Sequence, residues 1–365
     1  MNIKESIRRF LYGLPSRVKI HGRYIGPDEP VFVIAEIGLN HNGDLNLAKK
    51  LIDAAKEAGA DAAKFQKRTT TEILTKEGIE RPYNSPHAYG ATYGEHREKL
   101  EFSREQYLEL KAYAEEQGIL FFASVWDHKS ADFLEELKID AFKIPSADLI
   151  NIPLLEHVAK KNLPVLLSTG MSTFEEIQAA VSALVKHNHR VILFHCLSLY
   201  PSPEEKINMR FMDRLKSVFA PLPVGYSGHE IDALPTLVAV SRGACIIERH
   251  LTLDKTMKGS DHAASLEPHE FKELVQSIRR VESILGKAEK VMYEELKPLR
   301  EKLAKSIVTR QPIPKGTRIT ESMLTAKSPG NGISPLDMSR VVGRRAAVDL
   351  AEDVALPKEA LSWKR

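Results

Sequence analysis

The stretch Leu222-Pro223-Val224-Gly225-Tyr226-Ser227-Gly228-His229 and the later run Ala244-Cys245-Ile246-Ile247-Glu248-Arg249-His250 decide the fold. Each is a short apolar run that reads as a buried strand, and each closes on a histidine. Between them the chain has room for a helix of about ten residues and a return to a neighbouring strand, the span of a parallel crossover. Two imidazoles at the same ends of neighbouring parallel strands can share one divalent metal, so His229 and His250 are the expected ligands. A third polar strand end lies far upstream, in Ala35-Glu36-Ile37-Gly38-Leu39-Asn40-His41.

Outward from these runs the same alternation repeats. Apolar or β-branched stretches occur at 31–35, 62–66, 120–124, 141–144, 165–168, 191–196, 224–227 and 244–248. Helical patterns separate them. Asp44 can cap a helix with Leu45, Ala48, Leu51, Ile52 and Ala55 on one face. Ser103-x-x-Gln106 and Ser172-x-x-Glu175 are capping-box patterns, and Pro268 can open a helix carrying Phe271, Leu274, Val275, Ile278, Val281 and Leu285. Eight βα units predict an α/β fold of the (β/α)8 barrel type over residues 1–286, which suits the length of about 250 residues usual for such barrels. A doubly wound open sheet is the alternative, and no Gly-x-Gly-x-x-Gly opens its first helix. Residues 287–303 are charged and helix-favouring and suit a linker. Residues 304–365 carry short strands broken by Pro/Gly turns and predict a small β-rich domain with little core of its own.

Bulk properties narrow the classes of function. A formal charge of +3 over 365 residues, with both signs interspersed, argues against nucleic acid as a partner. No apolar run reaches the roughly 20 residues that cross a bilayer. Residues 1–17 lack the apolar core of a secretory signal, and Ile3, Ile7, Phe10 and Leu11 could form a short amphipathic helix. Cys196 and Cys245, the two cysteines of the chain, fall in strands and read as buried thiols of a cytoplasmic protein.

In barrel enzymes the reactive groups stand at the C-terminal strand ends. Those ends hold Glu36, Lys64 with Gln66, Ser124, Lys143 with Ser146, Ser168, His195, Ser198 with Tyr200, His229, and Glu248 with His250. Lysines beside apolar strand neighbours must be paired or face a polar cavity. Lys64 and Lys143 therefore read either as a salt bridge closing the barrel top or as cations for an anionic substrate. Ser146, Ser168 and backbone N–H groups near Gly170 would complete a phosphate or carboxylate cradle. His41 and His195, taken singly, read as structural histidines.

Several motifs resemble the sialic acid synthase family: Ala35-Glu36-Ile37-Gly38-x-Asn40-His41, Ala63-Lys64-Phe65-Gln66, Phe142-Lys143-Ile144-x-Ser146, Leu167-Ser168-Thr169-Gly170-Met171, Tyr200-Pro201, Gly225-Tyr226-Ser227-Gly228-His229 and Glu248-Arg249-His250. The tail, with Ile313-Pro314-x-Gly316 and Pro329-Gly330-Asn331-Gly332, is similar to that family's antifreeze-like (SAF) domain. Glu80-Arg81-Pro82-Tyr83, Thr92-Tyr93-Gly94-Glu95-His96 and Leu253-Asp254-Lys255-Thr256 resemble its animal branch, which acts on a 6-phosphorylated sugar.

The resemblance implies an enzyme condensing phosphoenolpyruvate with N-acetylmannosamine, its 6-phosphate or a similar N-acylated hexosamine. It implies Mn or Mg on His229 and His250. Lys64, Ser124, Lys143, Ser146, Ser168, Ser198 and Tyr200 fall where the family binds phosphoenolpyruvate; Glu36, Gln66, Glu248 and Asp261 fall where it holds the metal-bound water or the acceptor. It also implies a homodimer with swapped SAF domains. Two departures stand out. Ser124-Val125-Trp126 replaces the Thr-Pro of many bacterial members, and Lys327-Ser328 stands where many place an arginine, so either Lys327 substitutes or the N-acyl group is held differently. The long loop after the second strand carries Lys67, Arg68, Arg81, His87, His96 and Arg97 as cations for an acceptor phosphate, and Lys67 and Arg81 are the expected contacts. The alternatives are a synthase of a legionaminic- or pseudaminic-type acid from a diacetamido sugar, and a metal-dependent hydrolase.

Overall fold

The computed structural model describes residues 11–362, so most of the helix expected near Ile3, Ile7 and Phe10 lies outside the described residues. The first element lying wholly within the described residues is a hairpin with no counterpart among the expected strands. It pairs β1 (Val18–Ile20) with β2 (Arg23–Ile25) through the turn His21-Gly22. Val18, Ile20 and Ile25 are buried in the barrel core. Arg23 pairs with Asp61, and His21 Nδ1 lies 3.1 Å from Asp140. Asp61 and Asp140 precede barrel strands, so the hairpin caps the N-terminal end of the barrel.

The barrel strands are β3 (Phe32–Gly38), β4 (Ala62–Lys67), β5 (Leu120–Val125), β6 (Phe142–Ile144), β7 (Val165–Ser168), β8 (Val191–Cys196), β9 (Val224–Gly228) and β10 (Ile246–His250). They pair in chain order, all parallel, and β10 closes the ring against β3 with His250 opposite Glu36. The closed ring excludes the open-sheet alternative. The apolar runs are continuous because both strand faces are covered, one by the barrel interior and the other by helices.

The helices start where the caps foretold, with one shift. Asp44 accepts the amides of Asn46 and Leu47, and Ser103 with Gln106 forms a reciprocal box. In Ser172-Thr173-Phe174-Glu175-Glu176 the box is made by Thr173 and Glu176, one residue later than expected. Both registers satisfy the pattern, and the helix Phe174–Val185 selects the one that turns Ile177, Val181 and Leu184 inward.

The second unit begins after Gly286. Its two strands, β11 (Ser306–Thr309) and β12 (Leu324–Lys327), are antiparallel. They sit on a cluster of Ile307, Ile313, Ile319, Leu324, Ile333, Val341, Leu350 and Leu356, more core than the sequence led us to expect. The preceding helix Lys297–Leu303 joins this unit: Gly330 N–H donates to Glu301 O, and Ser328 Oγ donates to Leu303 O.

Candidate active site

Side-chain parity explains which strand-end residues meet. Successive residues of a strand point to opposite faces. On β10, Glu248 and His250 face inward and Arg249 faces out. On β8, Cys196 faces in and His195 out. One cavity at the C-terminal mouth is lined by Glu36, Lys64, Gln66, Ser124, Lys143, Ser146, Ser168, Ser198, Tyr200, His229, Glu248 and His250, together with Trp126, Cys196 and Ser227, which sequence reasoning had not singled out. Alternation along β8 and β9 would have found Cys196 and Ser227. His195 instead bonds Ile207 O through Nε2, and His41 stacks on Phe102 with ring centroids 4.2 Å apart.

At the centre, carboxylates and ammonium groups alternate. Lys64 Nζ lies 2.6 Å from Glu36 Oε2 and 3.6 Å from Glu248 Oε2, and donates to Ser124 Oγ at 2.8 Å. Lys143 Nζ reaches both Glu248 oxygens, at 2.8 and 2.9 Å. The two lysines are thus paired with carboxylates at the barrel top, the first of the two readings, and both also line the cavity. Ser227 Oγ donates to Glu248 at 3.1 Å, and Gln66 Nε2 donates to Glu36 Oε1 at 2.8 Å.

The two carboxyls are pushed apart. Burial raises Glu36 to about 7, against the pull of Lys64. At Glu248 burial also opposes the charge, but Lys143 and Lys64 together overcome it and hold the carboxyl well below its ordinary range. Burial lowers Lys143 too, partly offset by Glu248. One acid near neutrality beside one fixed anion is an arrangement suited to proton transfer.

Gly38 lies at a bulge in β3, with φ of 56°, and a Cβ there would come within 3.2 Å of Glu36 Oε1 and 3.3 Å of Gln66 Nε2. Only glycine leaves the carboxylate its place. Gly170 is as constrained: a Cβ would lie 2.4 Å from Ser198 Oγ and 2.9 Å from Ser146 Oγ. Its N–H donates to Ser146 Oγ at 2.9 Å, and Ser168 Oγ is buried without a hydrogen-bond partner. Ser146, Ser168 and Ser198 therefore lie together around Gly170, with the Ser168 hydroxyl uncommitted among the described residues.

His229 Nδ1 lies 2.8 Å from Leu197 O. A carbonyl only accepts, so Nδ1 carries the proton and Nε2 keeps its lone pair. His250 Nδ1 is buried with no hydrogen-bond partner and stands 3.9 Å from Asp261 Oδ2. The ring centroids are 5.4 Å apart, and Tyr200 packs on His229 at 4.0 Å. Burial holds both imidazoles neutral, lowering His229 to about 3, with His250 contributing, and His250 to about 4. Neutral imidazoles with open nitrogens fit a divalent metal. Among the described residues, no three carboxylate, imidazole or thiol groups form a ready-made cage.

Arg249 supports this pair from behind. Fully buried, it donates to Glu230 Oε1 at 3.0 Å, Asp232 O at 2.9 Å and Thr236 Oγ1 at 2.9 Å. Tyr226 and Thr236 complete the shell of Glu230. The network fixes the turn that carries His229.

The remaining expected residues lie elsewhere. Lys67 Nζ is engaged by Glu101 Oε2 and Arg68 O, both at 3.2 Å. Arg81 is exposed, next to Tyr83 and Tyr93. Lys327 is exposed on β12 and pairs with Asp353.

The NeuB family model matches residues 51–290, and the SAF domain model matches residues 304–362. The chain belongs to the NeuB family. It is 44% identical over 339 residues to the human N-acetylneuraminate-9-phosphate synthase, covering 93% of this chain and 94% of that protein. It is 39% identical to the N,N'-diacetyllegionaminic acid synthase of Legionella pneumophila, covering 93% and 98%. A sialic acid synthetase structure from Leptospira borgpetersenii superposes with a TM-score of 0.69 at 36% identity, covering 79% of this chain and 96% of that one. In this NeuB member no helix among the described residues is long and apolar enough to cross a membrane.

Proposed function

We propose that the protein condenses phosphoenolpyruvate with N-acetylmannosamine or its 6-phosphate, giving N-acetylneuraminate or its 9-phosphate and phosphate. The observation that carries this reading is the Glu36–Lys64–Glu248–Lys143 network flanked by the serine cradle on one side and the histidine pair on the other. A hydrolase needs only the histidine pair and a carboxylate. The relatives that match over nine-tenths of their length support the same chemistry.

C3 of the enol forms a bond to the aldehyde carbon, and positive charge builds at C2. Water then adds at C2, and phosphate leaves with cleavage of its C–O bond. Ser146, whose oxygen accepts the Gly170 N–H, joins Ser168 and Ser198 in supplying hydroxyl donors for the anionic substrate, and Lys143 has an N–H beyond the two given to Glu248. Glu36 is aimed at the cationic carbon by Gln66 and Lys64. With its pKa near neutrality it can also take the proton that the adding water gives up. Glu248 stays charged and holds both lysines. His229 and His250 are the ligands for Mn or Mg, whose role is Lewis-acid polarisation of the aldehyde oxygen. Nitrogen donors favour Mn, because Mg prefers oxygen ligands. The reading includes a cytoplasmic homodimer in which the SAF domain of each subunit serves its partner.

The test is phosphate release from phosphoenolpyruvate with a panel of free, 6-phosphorylated and diacetamido sugars, with the product identified by mass. Release that needs no sugar, or a failure of every hexosamine to support release, overturns the proposal.

A further inference from the structure

A second cavity abuts the first, sharing Trp126 and Ala147 in its wall. It is lined by Arg68, Arg97, Tyr93, Asp148 and Asn151, among others. Its charge is poorly balanced. Arg68 is almost fully buried, and its carboxylate partner Glu101, 3.3 Å away, is shared with Lys67. Among the described residues Arg97 has no carboxylate within ion-pair distance; its guanidinium bonds the Tyr93 hydroxyl and lies over that ring. Burial, with the repulsion of Arg97 beside it, lowers Arg68 from its ordinary value. Two carboxylates also line the cavity. Glu72 is spent on Lys129 at 2.6 Å, and burial raises Asp148 to about 6 while Asn151 donates to it at 3.1 Å. The indole Nε1 of Trp126, in the shared wall, is buried without a hydrogen-bond partner.

A buried guanidinium such as Arg68 that shares its carboxylate with a second cation is costly unless further acceptors complete it, and the planar forks of Arg68 and Arg97 suit phosphate oxygens. We infer that Arg68 and Arg97 form the subsite for the terminal phosphate of a 6-phosphorylated acceptor, with Trp126 Nε1 donating to the chain between that phosphate and the reacting carbon. This rests on the condensation reading above and assigns to Arg68 and Arg97 the role expected of Lys67 and Arg81. Lys67 is committed to Glu101, and Arg81 lies outside this cavity.

The experiment uses the full-length enzyme. kcat and KM are measured with N-acetylmannosamine and with its 6-phosphate in wild type, Arg97→Gln, Arg97→Lys and Arg68→Lys, and inorganic phosphate is tested as an inhibitor competing with each acceptor. Arg97 is only half-buried, so its variants test the site even if Arg68→Lys does not fold. The ratio of kcat/KM for the phosphorylated over the free sugar should fall about ten- to a hundredfold in Arg97→Gln, the scale of a lost hydrogen bond to a charged group. Arg97→Lys should recover part of it. A wild-type preference for the phosphorylated sugar that survives Arg97→Gln overturns the subsite and leaves the proposed reaction standing. A change confined to inhibition by inorganic phosphate makes this a free-phosphate site and overturns the assignment. A wild type that condenses only the free sugar overturns it as well, whereas a wild type with no condensation at all overturns the reaction itself.

Discussion

Lys64 Nζ stands 2.6 Å from Glu36 Oε2, with both side chains almost wholly withdrawn from solvent. Register brings them together, because Lys64 and Glu36 are direct neighbours on adjacent parallel strands. A buried pair of this kind is a poor source of stability, since desolvation consumes most of the attraction. Its presence at the mouth of the barrel is better explained by chemistry.

Glu36→Gln preserves the size of the side chain and removes its charge. Phosphoenolpyruvate should still bind, measured by calorimetry, and kcat should fall by at least about a hundredfold, the scale of a lost electrostatic stabiliser. A near-normal kcat would refute the role.

Removal of metal should abolish turnover, and Mn should restore it more fully than Mg. His229→Ala and His250→Ala should each lose about a thousandfold in kcat, with circular dichroism and thermal unfolding close to wild type. Full activity in a sample shown to be metal-free would end the metal assignment.

The Arg249–Glu230 pair supports the turn of His229. Arg249→Met leaves Glu230 buried and uncompensated, and should cost the barrel about 3–5 kcal/mol in denaturant unfolding. The double variant Arg249→Met/Glu230→Gln should recover much of that loss. If the single variant unfolds at the wild-type midpoint, the network is not structural.

Burial lowers His41 to about 3, with Arg68 contributing. Its folded pKa lies below the unfolded value of about 6.5, so the unfolded chain binds more protons at acid pH. The stability this costs is absent above about pH 6.5 and grows as pH falls toward 3. Between pH 8 and pH 5, His41→Phe should lose about 2 kcal/mol less than wild type. Parallel pH dependences in the two proteins would contradict the neutral, buried histidine.

A swapped dimer should show complementation. Full-length Glu36→Ala is mixed with a chain ending near residue 290, which has an intact barrel and no SAF domain. Activity should appear in the mixture and in neither parent. If subunits exchange, seen by mass spectrometry, and the mixture stays inactive, the SAF domain does not act across the dimer.

Much of this protein was already determined by local patterns. Runs of apolar residues long enough for buried strands, separated by capped amphipathic helices, admit few folds, and eight of them admit a closed ring. Polar residues at the ends of such runs have one place to go, so Glu36, Lys64, Lys143, Glu248, His229 and His250 could be named together before any coordinates. Charge pairing was legible only as one of two alternatives. Whether Lys64 meets a substrate or Glu36 depends on which neighbours the shear of the barrel sets beside it, and sequence spacing carries no such register. The same limit applies to the loop cations: Lys67 and Arg68 are adjacent in the chain, but only tertiary packing decides that both share Glu101 while Arg68 alone of the two lines the second cavity beside Arg97. Cys196 and His195 show the remaining physics, since a one-residue step in a strand reverses the side a residue faces. The cysteine therefore enters the cavity, and the histidine packs behind it.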